Sequence, residues 1–152
     1  MKVFVFNSLV LVVLGTLQVT SAGCCADGWT SYRSHCYFIA YGVELTFADA
    51  QRYCKARDAY LTRLETWAEN IFLRKMLSKS KAVHTWMGLS DQTHESIWRW
   101  ADTNKHATFS DWRPGEPNNL SNEDCVAFYA GSANRWNDYP CQRKLTPLCE
   151  KS

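Results

Sequence analysis

The spacing of apolar residues changes along the chain. From Thr46 to Ala56, the residues Phe47, Ala50, Tyr53 and Cys54 recur at steps of three and four, which is one face of a helix, and Thr46 stands where a cap belongs. Thr66 to Leu77 follows the same logic: Thr66 caps, Glu69 completes a capping box, and Trp67 with Ile71 and Leu73 with Leu77 lie four apart. Elsewhere apolar residues come in short runs between polar turns. His35 to Ala40, Thr85 to Leu89, Ile97 to Trp100, Cys125 to Tyr129, Arg135 to Asn137 and Leu148 to Glu150 read as strands. From Asp102 to Asn122 periodicity almost vanishes. A long irregular loop in a small domain is functional or disordered, and Trp112 with two prolines argues for an ordered one. Two helices and many short strands predict a single α+β domain.

The first residues set the compartment. Lys2 is the only charge before Asp27, Val3 to Val19 is mostly apolar, and Thr20 to Gly23 are small. This order predicts a secretory signal peptide over residues 1–22, cut after Ala22 with Gly23 as the alternative, and a domain over residues 23–152. A membrane anchor is the weaker reading, because Asn7, Ser8 and Gln18 interrupt a short run. Lys and Arg number 17 against 15 Asp and Glu; that balance points away from nucleic acid and anionic membranes. All seven cysteines lie beyond the expected cut. Secreted cysteines usually pair, so one is left over. There is no CxxC and the four histidines are scattered, which disfavours zinc.

The loop carries the candidate chemistry. Glu116, Asn118, Asn119, Glu123 and Asp124 crowd oxygen atoms around Pro117, Asn137 and Asp138 follow a short way on, and Asp91 with Glu95 forms a third set. Calcium takes six to eight such ligands. A bridge between Cys125 and Cys141 would pin two of the sets together. The plainer alternative is a wet loop, rich in Asn, Asp and Glu for that reason alone.

Several of these segments together resemble the C-type lectin, or calcium-dependent carbohydrate-recognition, family. Trp86-Met87-Gly88-Leu89 is similar to the family's Trp-Ile-Gly-Leu strand, Glu116-Pro117-Asn118 to its sugar-specificity triplet, and Trp136-Asn137-Asp138 to its second calcium motif. Cys54, Cys125, Cys141 and Cys149 resemble its four core cysteines, and the stretch from Cys25 through Trp29 to Cys36 resembles the extra pair of the long form. The resemblance implies two helices with short antiparallel strands, a long calcium-binding loop, and disulfides Cys25–Cys36, Cys54–Cys149 and Cys125–Cys141. It implies a principal Ca²⁺ held by Glu116, Asn118, Glu123, Asn137 and Asp138, with the Asp138 carbonyl, and a cis Glu116–Pro117 bond. An auxiliary Ca²⁺ would take Asp91, Glu95, Asn119, Glu123 and Asp124.

For function, the resemblance implies a secreted lectin without catalysis. Two neighbouring sugar hydroxyls would bind the principal ion and the same side chains that hold it. Glu116 can only accept and the Asn118 amide can donate. In the family that pair goes with mannose, N-acetylglucosamine and fucose-type glycans on microbial or cell surfaces, although galactose-binding members with the same triplet exist. The rivals are a protein-binding relative of the venom or antifreeze kind, and a calcium-dependent hydrolase, for which no nucleophile with a paired base is visible. Cys24 has no partner in the implied pairing; it reads as an intermolecular bridge giving a covalent homodimer, or as a thiol-capped cysteine. Asn119-Leu120-Ser121 is a glycosylation sequon, read as unused if Asn119 faces the ion. His94 reads as solvated, His35, His84 and His106 have no evident partner, and Trp98 with Trp100 reads as core. Arg99, Arg113 and Arg135 could flank the site but read as scattered, and Arg74, Lys75, Lys79 and Lys81 as a solubilising cluster.

Overall fold

The computed structural model describes residues 25–152. The expected signal peptide and Cys24 lie outside the described residues. Eight strands and two helices follow in the order β1 (Thr30–Tyr32), β2 (His35–Ile39), α1 (Phe47–Lys55), β3 (Tyr60–Leu61), α2 (Trp67–Ser78), β4 (His84–Ser90), β5 (Arg99–Trp100), β6 (Cys125–Tyr129), β7 (Arg135–Tyr139) and β8 (Thr146–Lys151). This is the α+β architecture expected. Both helix starts follow from their caps. The Thr46 hydroxyl accepts from the Asp49 N–H at 3.3 Å, and the Thr66 hydroxyl from the Glu69 N–H at 3.2 Å. The second half of the expected capping box differs. The Glu69 carboxylate reaches past Thr66 to the Glu65 N–H at 2.9 Å and also takes the Tyr37 hydroxyl.

The strands run β1-β2-β8-β4-β6-β7, with β3 paired to β8 and β5 to β4. The strands pair antiparallel as expected, and one further pairing joins them. β4 and β8 run parallel, with Thr85 opposite Thr146 and Trp86 opposite Pro147. Such a pair needs a long crossover, and the loop, β6 and β7 supply it. The strand expected over Ile97 to Trp100 shortens to Arg99–Trp100, and β1 and β3 were not expected.

The central strands are buried on both faces, so their side chains alternate between two cores. Met87, Leu89, Val126 and Phe128 join Leu73 and Leu77 of α2, with Trp100 and Trp136. Trp86, Cys125 and Ala127 join Phe47, Ala50 and Cys54 of α1, with Tyr139 and Leu145. Gly88 is needed where β4 passes β3. A Cβ there would stand 2.6 Å from the Leu61 carbonyl oxygen.

Three disulfides close the chain: Cys25–Cys36, Cys54–Cys149 and Cys125–Cys141, the pairing that the resemblance implies. The second spans 95 residues. Loop-closure entropy gives such a bridge roughly 4–5 kcal/mol, and about 3 kcal/mol to a short one. Among the described residues no helix is long and apolar enough to cross a membrane.

Candidate functional site

The strand pair β6–β7 builds the floor of the site. Its register sets Val126 opposite Asp138 and Ala127 opposite Asn137. Glu123 and Asp124 immediately precede β6, so both acidic groups converge where the long loop returns to the sheet. The Cys125–Cys141 bridge fixes that junction.

Asp138 is completely buried. Its Oδ2 accepts the backbone N–H of Asn118 at 3.0 Å and of Asn119 at 2.9 Å, which ties the turn after Pro117 to β7. The Glu116–Pro117 peptide is cis. The Glu116 side chain is 2% exposed and one of its oxygens accepts from Arg113, whose Nε–H donates to Asn137 Oδ1. The Asn137 amide donates to the Asp138 carbonyl. Asn118 Oδ1 accepts from the Leu120 N–H at 2.7 Å, and Asn119 Oδ1 from the Glu123 N–H at 2.8 Å. Asn119, Ser121 and Asn122 all adopt positive φ, a conformation asparagine tolerates better than most residues. Part of the asparagine richness is therefore turn chemistry. Asn119, the sequon residue, is exposed.

The second set lies along the end of β4. The Asp91 N–H donates to the Asp124 carbonyl at 3.1 Å, and Asp91 Oδ2 accepts from the Ser96 N–H at 2.8 Å. Glu95 and His94 are exposed.

Carboxylate oxygens are left over in both sets. Glu116 Oε2, Asp138 Oδ1 and Asp91 Oδ1 are buried without a hydrogen-bond partner. An unsatisfied buried acceptor is costly. Burial and then the neighbouring Asp138 push the Glu116 carboxyl above its ordinary range; burial, Asp138 and Glu116 do the same to Glu123. Burial, Glu95 and Asp124 raise Asp91. A divalent cation would relieve both the repulsion and the orphaned oxygens, so the donor set fits Ca²⁺. Elsewhere among the described residues, ligand atoms of His35, Glu69 and Glu150 lie within 4.8 Å of one another.

That group already has its partners. Glu150 Oε1 meets His35 Nδ1 at 2.7 Å and the Tyr60 hydroxyl at 2.8 Å, and Oε2 accepts the Arg63 N–H at 2.9 Å. Glu69 is held by Tyr37 and Glu65. With both carboxylates hydrogen-bonded, the cluster ties α2 to β2 and β8. His35 thus has a partner where none was evident from sequence. Three other readings change as well. Arg113 is built into the site and seated on Tyr129. Arg74 donates to Asp111 at 2.8 Å and to the Ala133 carbonyl at 2.8 Å, and Arg135 sits 3.6 Å from Asp111. A charged residue inside an apolar strand, such as Glu150, was the available signal.

Beneath the loop, Trp98 packs on Trp112 at 4.9 Å, and both Trp112 and Trp100 pack edge-on against Trp136 at 5.7 and 6.4 Å. These indoles form the core expected of them and order the loop from below.

The "Lectin C-type domain" family matches residues 43–151. The chain belongs to the C-type lectin family. It is 34% identical over 138 residues to the human "C-type lectin domain family 10 member A", covering 86% of this chain and 41% of that relative. Identity is 32% over 132 residues to a "Perlucin-like protein" of Mytilus galloprovincialis, covering 86% and 84%. Among solved structures, the cow C-type carbohydrate-recognition domain of CD23, determined in the presence of a GlcNAc2Man3 oligosaccharide, aligns with a TM-score of 0.74 at 29% identity over 84% of this chain and 95% of that one. The fold is thus that of a C-type lectin carbohydrate-recognition domain, a binding module and not an enzyme.

Proposed function

We propose that this C-type lectin is secreted, uses calcium, and binds mannose, N-acetylglucosamine or fucose-type glycans on microbial or cell surfaces, serving recognition or agglutination. The observation that carries this reading is the pair of buried, unpartnered oxygens on Glu116 and Asp138, with burial and then Asp138 raising the proton affinity of Glu116. Glu116, Asn118, Glu123, Asn137 and Asp138 would hold a principal ion, and Asp91, Glu95, Asn119, Glu123 and Asp124 an auxiliary one. The ion supplies spare coordination positions for vicinal hydroxyls. The chain supplies the pattern around them. Glu116 accepts a hydroxyl proton, and the Asn118 amide, whose Oδ1 is engaged with Leu120, keeps its N–H groups for a sugar oxygen. Buried Asp138 holds the turn that presents both. The CD23 structure was determined with a mannose-containing oligosaccharide, which supports the sugar class.

Secretion is proposed from the signal-like residues 1–22, with the lectin domain over 23–152, and a disulfide-linked homodimer from Cys24. Mannan-agarose in calcium buffer tests the central reading. Retention reversed by EDTA is expected; passage straight through the resin in calcium would remove it.

A further inference from the structure

The near balance of charge over the whole chain hides a local excess. Between Glu69 and Asp91 the sequence carries Arg74, Lys75, Lys79 and Lys81 and no carboxylate, and the turn at residues 130–134 carries none either. Folding brings these stretches to one edge. The Arg74 Nε–H donates to the Ala133 carbonyl at 2.8 Å, and the Val83 carbonyl accepts the Ala130 N–H at 3.1 Å. Arg74 is taken up by Asp111. Lys75, Lys79 and Lys81 are exposed and, among the described residues, make no ion pair. Lys75 and Lys79 lie four apart and so share the outer face of α2, while Leu73 and Leu77 are buried on the inner one.

The same edge exposes apolar side chains. Tyr41 is 60% exposed and Val83 64%, and both line one cleft with Lys81, in which Glu44 is the single carboxylate. Tyr129, the last residue of β6, pairs with His84, which follows Val83, whereas Glu123 and Asp124 precede the first residue of that strand. The edge therefore lies at the end of β6 away from the candidate sugar site and is no part of it. A soluble polyanion would use the lysines and leave Tyr41 and Val83 in water. A bilayer surface uses both. Anionic headgroups attract the ammonium groups, and the interface takes up aromatic and aliphatic side chains.

We propose that this edge, with Lys75, Lys79 and Lys81 around Tyr41 and Val83, docks on an anionic phospholipid surface while the sugar site at the far end of β6 stays free. The contact needs no calcium, so vesicle flotation is run in EDTA and repeated in calcium. The probes are vesicles of phosphatidylcholine alone and of phosphatidylcholine with about one-third phosphatidylserine, neither of which carries a sugar. Flotation with the anionic vesicles only is expected in both buffers, fading as salt screens the contact. At about fivefold per lysine, Lys75→Gln, Lys79→Gln and Lys81→Gln together should weaken binding about a hundredfold, and arginine at the same three positions should restore it. Tyr41→Ser with Val83→Ser should weaken it about tenfold and keep the salt dependence. Every variant should keep the wild-type thermal midpoint. Equal flotation with both vesicles, or a triple glutamine variant that floats as the wild type does, overturns the proposal. Full binding by Tyr41→Ser with Val83→Ser overturns it in favour of a soluble polyanion such as a sulfated polysaccharide. Binding that appears only in calcium overturns it too, and assigns the contact to the metal site while the lectin reading stands.

Discussion

The Trp136 indole N–H donates to Asn70 Oδ1 at 3.0 Å, in a wholly buried contact between β7 and α2. The Asn70 amide in turn donates to Asp111 at 2.7 Å. One side chain thus satisfies a donor under the loop and an acceptor within it. Asn70→Leu should leave the indole N–H unpaired and take one donor from Asp111, which keeps Arg74, and lower unfolding free energy by about 1–3 kcal/mol in urea titrations. A loss below about 0.5 kcal/mol would show that the indole finds another acceptor.

Calcium should stabilise the protein most at neutral pH. Glu116, Glu123 and Asp91 have folded proton affinities above their ordinary values. Their contribution to metal-free stability is full below the unfolded carboxylate values and is lost as pH rises through the raised folded ones. Metal-free protein should therefore gain stability on mild acidification through these groups. Calcium binds the charged forms, so its effect should shrink over the same interval. At about ten to a hundred times Kd, calcium should add about 1.4–2.7 kcal/mol. Scanning calorimetry at pH 5 and pH 8, with calcium and with EDTA, checks this; an equal calcium effect at both would contradict it.

Exchanging the donor and acceptor at the triplet should change the sugar. Glu116→Gln with Asn118→Asp reverses which side chain donates and which only accepts. A glycan array should then move from mannose-type toward galactose-type ligands. An unaltered profile would place selectivity elsewhere.

Glu150 offers a separate pH test, remote in sequence from the triplet. It is completely buried, and burial raises its carboxyl to about 7 despite the Arg63 N–H, Tyr60 and His35 around it. Its stabilising contribution is full below the unfolded value and is lost as pH rises through about 7. Glu150→Gln keeps the shape and removes the titration. The variant should show a flatter decline in thermal midpoint between pH 5 and pH 8 than the wild type, and an identical slope would refute the assignment.

Cys24 lies outside the described residues, and its role is tested chemically. Cys24→Ser should convert a covalent dimer to monomer on a non-reducing gel. A dimer band that persists in the variant would assign the link to another cysteine.

The helices were legible because their information is local: Thr46 and Thr66 cap, and Phe47, Ala50 and Cys54 share a face whatever the rest of the chain does. The oxygen-rich loop was legible from the density of its donors. The parallel β4–β8 pairing was not, since it is set by how residues 61 apart in the chain meet, as Thr85 and Thr146 do, and no local pattern encodes it. β3 has two residues and no period to detect. The roles of His35, Arg74 and Arg113 also depend on distant partners. None of them shows that partner in its own neighbourhood, and only folding brings Glu150, Asp111 and Asn137 to them.

The Cys54–Cys149 bridge also decides how the domain carries tension. Pulled from its two ends, the chain passes the load from the first strands through this sulfur link to the last residues. The covalent path bypasses positions 55–148, where every candidate sugar and metal ligand lies. A cell or particle tugging on attachments at either end would peel β2 from β8 while the recognition loop stayed off the taut line.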